Sequence, residues 1–311
     1  MGRYIIRRLL QAIPVLLGAT LLIYAVVFAL PGNPLAAAAA GDRVDPGVAA
    51  LREHHRPGDP FLVQYWHYLT GLFHGDFGVT SAGVPVADLM AGKFQVTVNL
   101  TVTALVMEAV IGVGLGLYAA LRHGRAQDSL VLASTLVLIS VPALVTGFVL
   151  QLLLGVRLRQ AGIDLFPVAG IAEGRRGYLL PGSVLAGTSI AYLTRLTRAN
   201  LMETLRADYI RTAVAKGLSR RRVIGRHALR NALIPLITYL GADLGTLMGG
   251  TVIIETVFNL PGVGRQLFDS IHLREQPVVV GTVTLLVLVH ILANLVVDLL
   301  YAALDPRIRY E

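Results

Sequence analysis

Six stretches of the chain are apolar for long enough to read as membrane spans: Leu9 to Leu30, Asn99 to Leu121, Leu130 to Leu154, Leu179 to Thr194, Leu233 to Ile254 and Val278 to Ala303. A bilayer core of about 30 Å takes about 20 apolar residues as helix, because in lipid every backbone group must be bonded within its own segment. The fourth stretch is short and carries Pro181 and Gly182, while Pro142 predicts a kink in the third. Arg7-Arg8 ahead of the first stretch, with the alanines from Ala36 to Ala40 behind it, imitates a secretory signal with a small-residue cleavage site. The run exceeds the usual signal core of about 7–15 residues, so a retained anchor is expected.

Composition agrees with a polytopic, all-α membrane protein. Of 311 residues, 55% are hydrophobic and only 15% charged, and the mean hydropathy is +0.66; soluble domains carry about a quarter charged residues. The net charge of +8 therefore marks membrane sidedness before it marks a nucleic-acid partner. With a cytoplasmic N-terminus, the inner segments hold Arg3, Arg7 and Arg8, then Arg122 and Arg125, then a dense group from Arg195 to Arg230, then Arg307 and Arg309. That is the positive-inside arrangement, and an even number of spans places both termini in the cytoplasm. The segment between the first two spans is predicted to be a small external subdomain, with Tyr65, Trp66 and Tyr68 as an interfacial aromatic anchor.

Motifs for chemistry are scarce. The chain has no cysteine, which removes thiol catalysis and cysteine-ligated metals. No phosphate-cradling G-x-x-x-x-G-K-[ST] occurs, since Gly92-Lys93 is followed by Phe94, and no G-x-S-x-G elbow or metal-ligand cluster is present. Polar residues do lie within the apolar stretches: Glu108, Asp243, Glu255, and the series His290, Asn294 and Asp298, which falls on one helix face. Hydrogen bonding between helices is the first reading of such groups, and lining a substrate path the second. Glycines spaced by four, at 112 and 116 and at 241, 245 and 249, make strips where another helix can approach closely.

The segment Asp208 to Asn231, DYIRTAVAKGLSRRRVIGRHALRN, resembles a DNA-binding helix-turn-helix when taken alone. Membrane spans close in on both sides and leave no room for the third helix and soluble core of such a domain, so no nucleic-acid partner is expected. The pattern predicts two short helices broken at Gly217-Leu218, with Ser219 as an N-cap and Arg222, Arg226 and Arg230 stacked on one face. A rigid basic knob that docks into a cytoplasmic partner explains the break and the arginine face together; contact with anionic lipid is the alternative.

At this segment the chain resembles the membrane permease subunits of ATP-binding-cassette importers, in particular the first permease subunit of the dipeptide/oligopeptide and nickel type. The E-A-A-x-x-x-G loop signature of that family corresponds to Arg211-Thr212-Ala213-Val214-Ala215-Lys216-Gly217, and the subfamily's DYxRTAxAKGLxxxxVxxxHALRNAxxP runs from Asp208 to Pro235. Further similarity lies in GDFG from Gly75, ISVPALVTGFVL from Ile139, ETVFNLPGVGR from Glu255 and DLLYAALDPRIR from Asp298. Two segments depart from it: Arg274-Glu275-Gln276-Pro277, where relatives read R-D-Y-P, and Arg56-Pro57-Gly58-Asp59-Pro60, where they read G-L-D-x-P.

The resemblance implies a type I importer permease fold with six transmembrane helices. It divides the chain into an N-terminal segment and first helix over 1–30, an extracytoplasmic subdomain over 31–98, a core permease domain over 99–303 with its cytoplasmic coupling loop at 200–230, and a tail over 304–311. It implies a non-catalytic, cofactor-free subunit of the inner membrane, paired as a heterodimer with a paralogous permease. Two ATP-binding subunits would supply ATP and Mg, and an external binding protein would deliver the peptide. Coupling to the ATPase falls on Ala213, Lys216, Gly217, Leu218, Ser219, Arg220, Arg221 and Arg222, and the substrate path or gate on Asp243, Glu255 and Asn259. Related permeases take nickel or glutathione. A different class, a proton-coupled secondary transporter using Asp243 or Asp298, is the remaining alternative.

Overall fold

A computed structural model describes residues 2–28, 59–80 and 82–304, with the side chains of 2–6, 9 and 297–304 excepted. The whole 29–58 segment with its signal-like alanines, the side chain of Asp298 and the tail from 305 lie outside the described residues. The described residues are helical apart from turns and one isolated bridge between Val79 and Pro85. The helices are α1 (Gly2–Phe28), α2 (Phe61–Leu72), α3 (Val86–Leu121), α4 (Ala126–Ser140), α5 (Ala143–Gln160), α6 (Leu179–Arg206), α7 (Asp208–Ala215), α8 (Arg220–Val257), α9 (Val263–His272) and α10 (Gln276–Leu304).

Five of these contain a run long and apolar enough to cross a membrane: α1, α3, α5, α8 and α10. The expected second span begins earlier than its apolar run, at Val86 rather than Asn99. Asp88 and Lys93 mask its first turns in the sequence, and a helix of 36 residues is ~54 Å long, well beyond a bilayer core of about 30 Å. The expected third span is not one kinked helix. Val141 is extended at φ −95° and ψ 123° ahead of Pro142, so α4 ends and α5 begins anew, as proline disfavours helical backbone in the residue before it. The expected fourth span lies within α6, where Pro181 occupies the first turn without interrupting the helix. It falls outside the five because Ser183, Thr188, Ser189, Thr194, Arg195, Thr197 and Arg198 dilute its apolar character.

The chain divides into two compact units. In the unit of residues 1–98 and 259–311, α1 packs against α10 and α9 against α10. Tyr24, buried in α1, meets the rings of Phe28, Phe61, Tyr65 and Tyr68 at centroid distances of 4.5, 5.7, 5.7 and 5.4 Å. Tyr65 Oη donates to the Leu17 carbonyl at 3.0 Å and lies 2.9 Å from Thr20 Oγ1, while Tyr68 Oη donates to Thr284 Oγ1 at 2.7 Å. The expected aromatic anchor is therefore split. Tyr65 and Tyr68 are core residues that fix α2 to α1 and α10, and only Trp66 is exposed.

In the unit of residues 99–258, α6 is the central helix, packed against α3, α4, α5 and α8. Its polar side chains are tolerated because they face protein: Ser189, Thr194 and Thr197 are all buried. The glycines of α3 set the closest approach. A Cβ on Gly116 would stand 2.5 Å from both the Thr194 carbonyl oxygen and Thr197 Cβ, and one on Gly112 would stand 3.0 Å from Leu193 Cβ. In α8, Gly245 of the expected strip is buried, while Gly249 faces open space and Gly250 beside it meets Leu185 Cδ1 at 2.8 Å. Gly116→Val is expected to block folding of this unit, because overpacking against a backbone carbonyl has no side chain that can yield. Loss of the variant from the membrane fraction is the check, with Gly114→Val, whose Cβ meets nothing within 4 Å, remaining at wild-type level.

Candidate functional site

The segment singled out in the sequence folds as a short helix, a left-handed glycine and a long helix. Gly217 has φ +77°. Its N–H donates to the Val214 carbonyl at 2.9 Å, and the N–H of Leu218 reaches back to the Ala213 carbonyl at 3.3 Å. This pair of bonds is the Schellman motif, in which glycine in the left-handed region lets the chain cap its own last carbonyls. Ser219 occupies the N-cap of the next helix with extended backbone (φ −62°, ψ 145°), and the Arg222 and Val223 N–H groups donate to its carbonyl at 2.9 and 3.0 Å. Its hydroxyl makes no capping bond. The expectation of a second short helix is corrected: α8 runs without interruption from Arg220 to Val257, through a π-helical stretch at Val223–Ala228, into the apolar span. The short basic helix and the membrane helix are one continuous helix, with Pro235 inside it.

Two faces of this segment divide cleanly. Ile210, Ala213, Val223, Ala228 and Ala232 are buried in a cluster with Leu201 of α6 and Ala120 of α3, and Leu218 packs against the same cluster. Leu218 thus completes the hydrophobic contact that accompanies a Schellman turn. On the other face Arg211, Lys216, Gly217, Ser219, Arg220, Arg221, Arg222, Arg226 and Arg230 are all exposed. Asn231 Nδ2 donates to Tyr209 Oη at 2.9 Å and ties α8 to α7. The result is a basic projection whose apolar root is set into the ends of α3 and α6.

A second polar cluster lies close to this root in sequence and fold, and its pairing was not legible in the sequence. Arg198 of α6 grips Asp128 of α4 with both arms, Nε to Oδ1 at 2.6 Å and Nη2 to Oδ2 at 2.8 Å. Asp128 also accepts the Gly124 N–H at 3.1 Å and lies 3.2 Å from His123 Nδ1. The Asp128 side chain is 5% exposed and that of Arg198 19%. Hydrogen bonding from Arg198 holds the Asp128 carboxyl well below the usual carboxylate range. One turn away, Arg195 Nε donates to Thr135 Oγ1 at 2.9 Å. These bonds staple α4 to α6 just before α6 leads into α7. The partners are 70 residues apart, and no local pattern joins them.

The three residues expected at a path or gate do not form one site. Asp243 is buried in α8 beside Glu108 of α3, with Tyr239, Ser189 and Tyr192 around them. Neither Glu108 oxygen finds a hydrogen-bond partner among the described residues, nor does Asp243 Oδ2. Glu255 is fully buried in the same helix as Asp243, and their separation of 12 positions corresponds to ~18 Å of helix. Asn259 is exposed, follows the helix end and adopts φ +53°, a left-handed conformation that asparagine tolerates better than most residues. Gln151 marks another junction unseen in the sequence: its Nε2 donates to the Val168 carbonyl at 2.8 Å and the Val257 carbonyl at 3.3 Å, tying α5 to the end of α8. On α10, Asn294 Nδ2 lies 3.0 Å from His290 Nε2, so these two do share a face as expected.

Comparison with known proteins bears on this arrangement directly. Residues 112–310 match the family model of the binding-protein-dependent transport system inner membrane component, and residues 1–108 match the model of the N-terminal part of such components. The chain is similar to the glutathione transport system permease protein GsiC of Salmonella typhimurium strain LT2, at 39% identity over 313 residues covering 100% of both chains. It is 40% identical to the protein of that name from Escherichia coli strain K12, over the same full lengths. Among solved structures it is similar to a chain of an amino acid ABC transporter with histidines, at a TM-score of 0.50 and 19% identity, covering 77% of this chain and 98% of that one. At that identity the likeness concerns fold alone. A family match over most of the chain replaces the proton-coupled class, and the chain belongs to the binding-protein-dependent transport system inner membrane components: it is a non-catalytic, cofactor-free inner-membrane permease of an ATP-binding-cassette importer, a family that works with ATPase and binding-protein partners.

Proposed function

We propose that this permease carries short peptides, glutathione-type peptides among them, into the cytoplasm as one half of a heterodimer with a paralogous permease. Two ATP-binding subunits dock underneath, and an external binding protein delivers the cargo. Full-length similarity to glutathione permeases supports the cargo class. Both termini lie in the cytoplasm in this reading, in keeping with the positive-inside distribution of arginine.

The observation that carries the coupling role is the two-faced segment around Gly217. Its exposed side, Lys216, Gly217, Ser219 and Arg220 to Arg222, meets the ATPase, and its buried side, rooted through Ala213 and Leu218, moves with α3 and α6. Because α8 is continuous from Arg220 into the membrane, a displacement of the tip by ATPase closure becomes a rigid-body movement of a span. ATP shifts the two orientations by its differential affinity for them. Asp243 with Glu108, and separately Glu255 and Asn259, are assigned to the path or its external gate.

Uptake by a strain lacking this permease, complemented with the wild-type gene, tests the cargo. Labelled glutathione is expected to enter, and unlabelled di- and tripeptides to compete with it, whereas nickel does not. Competition by nickel alone would place the chain with the metal-importing relatives.

A further inference from the structure

The apolar helix α4 is held from one side. Its buried residues are Asp128, Val131 and Thr135, a stripe at helical spacing, while Leu130, Leu136 and Val137 are exposed. Two of the three buried side chains are polar, and both are bonded to arginines of α6: Asp128 to Arg198, and Thr135 to Arg195. Arg198 Nη2 also lies 3.1 Å from His123 Nδ1, in the turn that leads into α4. Between apolar helices in lipid the hydrophobic effect supplies little preference for one arrangement, so polar contacts of this kind bear on how one helix follows another.

Both ends of α4 are joints. Gly124, at φ +76°, precedes it, and Val141 is extended directly after it. Backbone of these kinds lets neighbouring helices turn relative to one another, so neither α3 nor α5 carries α4 along as a continuation of its own axis. What α4 rests on is α6, and the end of α3 over Val113–Leu121.

These two supports reach the coupling segment. Leu201, one turn beyond Arg198, is fully buried in the cluster that roots that segment, and Ala120 of α3 belongs to the same cluster. The helix from Leu179 to Arg206 is continuous, so α6 carries the root at one level and both arginine contacts just above it. An ion pair taken out of water gains little stability over an apolar pair of the same shape. With the Asp128 side chain 5% exposed, stability alone is a weak reason for this one.

We propose that Asp128 and Arg198, with Thr135 and Arg195 beside them, are positioning residues that make α4 follow α6 when the ATPase displaces the segment around Gly217. The proposal rests on the coupling role assigned to that segment above. These residues touch neither cargo nor nucleotide; they set how much uptake each ATP yields.

The complete transporter in proteoliposomes tests this. The probe is whichever of labelled glutathione, a dipeptide, a tripeptide or nickel the wild type accumulates best. Asp128→Ala/Arg198→Leu is expected to unfold near the wild-type temperature and to take up at least about fivefold less probe per ATP hydrolysed. Arg198→Lys, which keeps the charge, should lose less. Thr135→Val removes the neighbouring contact without removing a charge, and should lower uptake per ATP in the same direction. If the double variant does not fold, Thr135→Val decides alone. Wild-type uptake per ATP in the folded variants would make these contacts purely structural and overturn the proposal. Photo-cross-linking to an ATP-binding subunit from an added Ser219→Cys separates the two readings. With that capture intact, the result removes the positioning role and leaves the coupling segment standing; no capture in the otherwise wild-type chain brings down both.

Discussion

Gly217→Val is expected to abolish uptake, by at least about tenfold, while the protein remains folded and inserted. The reason lies in the backbone. At φ +77° a β-branched residue is held in a region it strongly avoids, and the left-handed conformation costs an ordinary residue about 1–2 kcal/mol. A Cβ at this position meets nothing within 4 Å, so the chain itself has room for the side chain. The turn is what gives way: the bonds from Gly217 and Leu218 to the end of α7 are lost, and Leu218 leaves its contact with the cluster around Ala213. Asparagine, which accepts the left-handed conformation more readily, separates the two elements of the idea. If Gly217→Asn retains uptake, the turn geometry is the requirement; if it fails like valine, the open space above Gly217 is filled by the ATPase. Normal uptake by the valine variant would sink the coupling role.

The second large effect is expected at Asp128. Removing the carboxylate with Asp128→Ala leaves the Arg198 guanidinium largely buried without its bidentate partner, and breaking such a pair from one side costs about 3–5 kcal/mol. Thermal unfolding of the solubilised transporter should show the loss. The double variant Asp128→Ala/Arg198→Leu should recover much of it, because the stranded charge is then gone. Within this pair the pH dependence has a definite sign. A carboxyl held below its ordinary value of ~3.9 contributes stability above that value and loses it only as pH falls through the lower folded-state value. Between pH 5 and 8 the difference in unfolding temperature between wild type and Asp128→Ala should not shrink, because protonation of His123 beside the carboxylate can only add to it. A difference that shrinks on acidification from pH 7 to pH 5 would show that Asp128 is not held in this way.

Much of the architecture was legible because lipid imposes a strong rule on sequence. Apolar runs had to be helices, and α1, α8 and α10 lie where their runs do. The departures have particular causes. Asp88 and Lys93 hide the first turns of α3, which extend beyond the length a bilayer requires. Val141-Pro142 reads as a kink because proline interiors often kink; the extended backbone of Val141 makes it a break. The central helix α6 looks weakest in sequence because burial among other helices removes the need for an apolar surface, so a hydropathy pattern cannot distinguish it from a poor span. Gly217 was legible for the opposite reason: the turn it forms is local, set by adjacent residues. Asp128 with Arg198, and Glu108 with Asp243, depend on contacts between distant helices and had no local sign.

Cross-linking from the tip of the segment tests the central claim most directly, and the absence of cysteine from the chain makes a single added thiol unambiguous. Ser219→Cys, carrying a photoactivatable thiol reagent in the assembled transporter, is expected to capture an ATP-binding subunit, with a yield that changes between nucleotide-free and ATP-bound states. Gln266→Cys, on α9, should capture none. Capture from position 266 but not from 219, or none from either with uptake intact, would contradict the assignment of this segment as the handle by which the ATPase moves the permease.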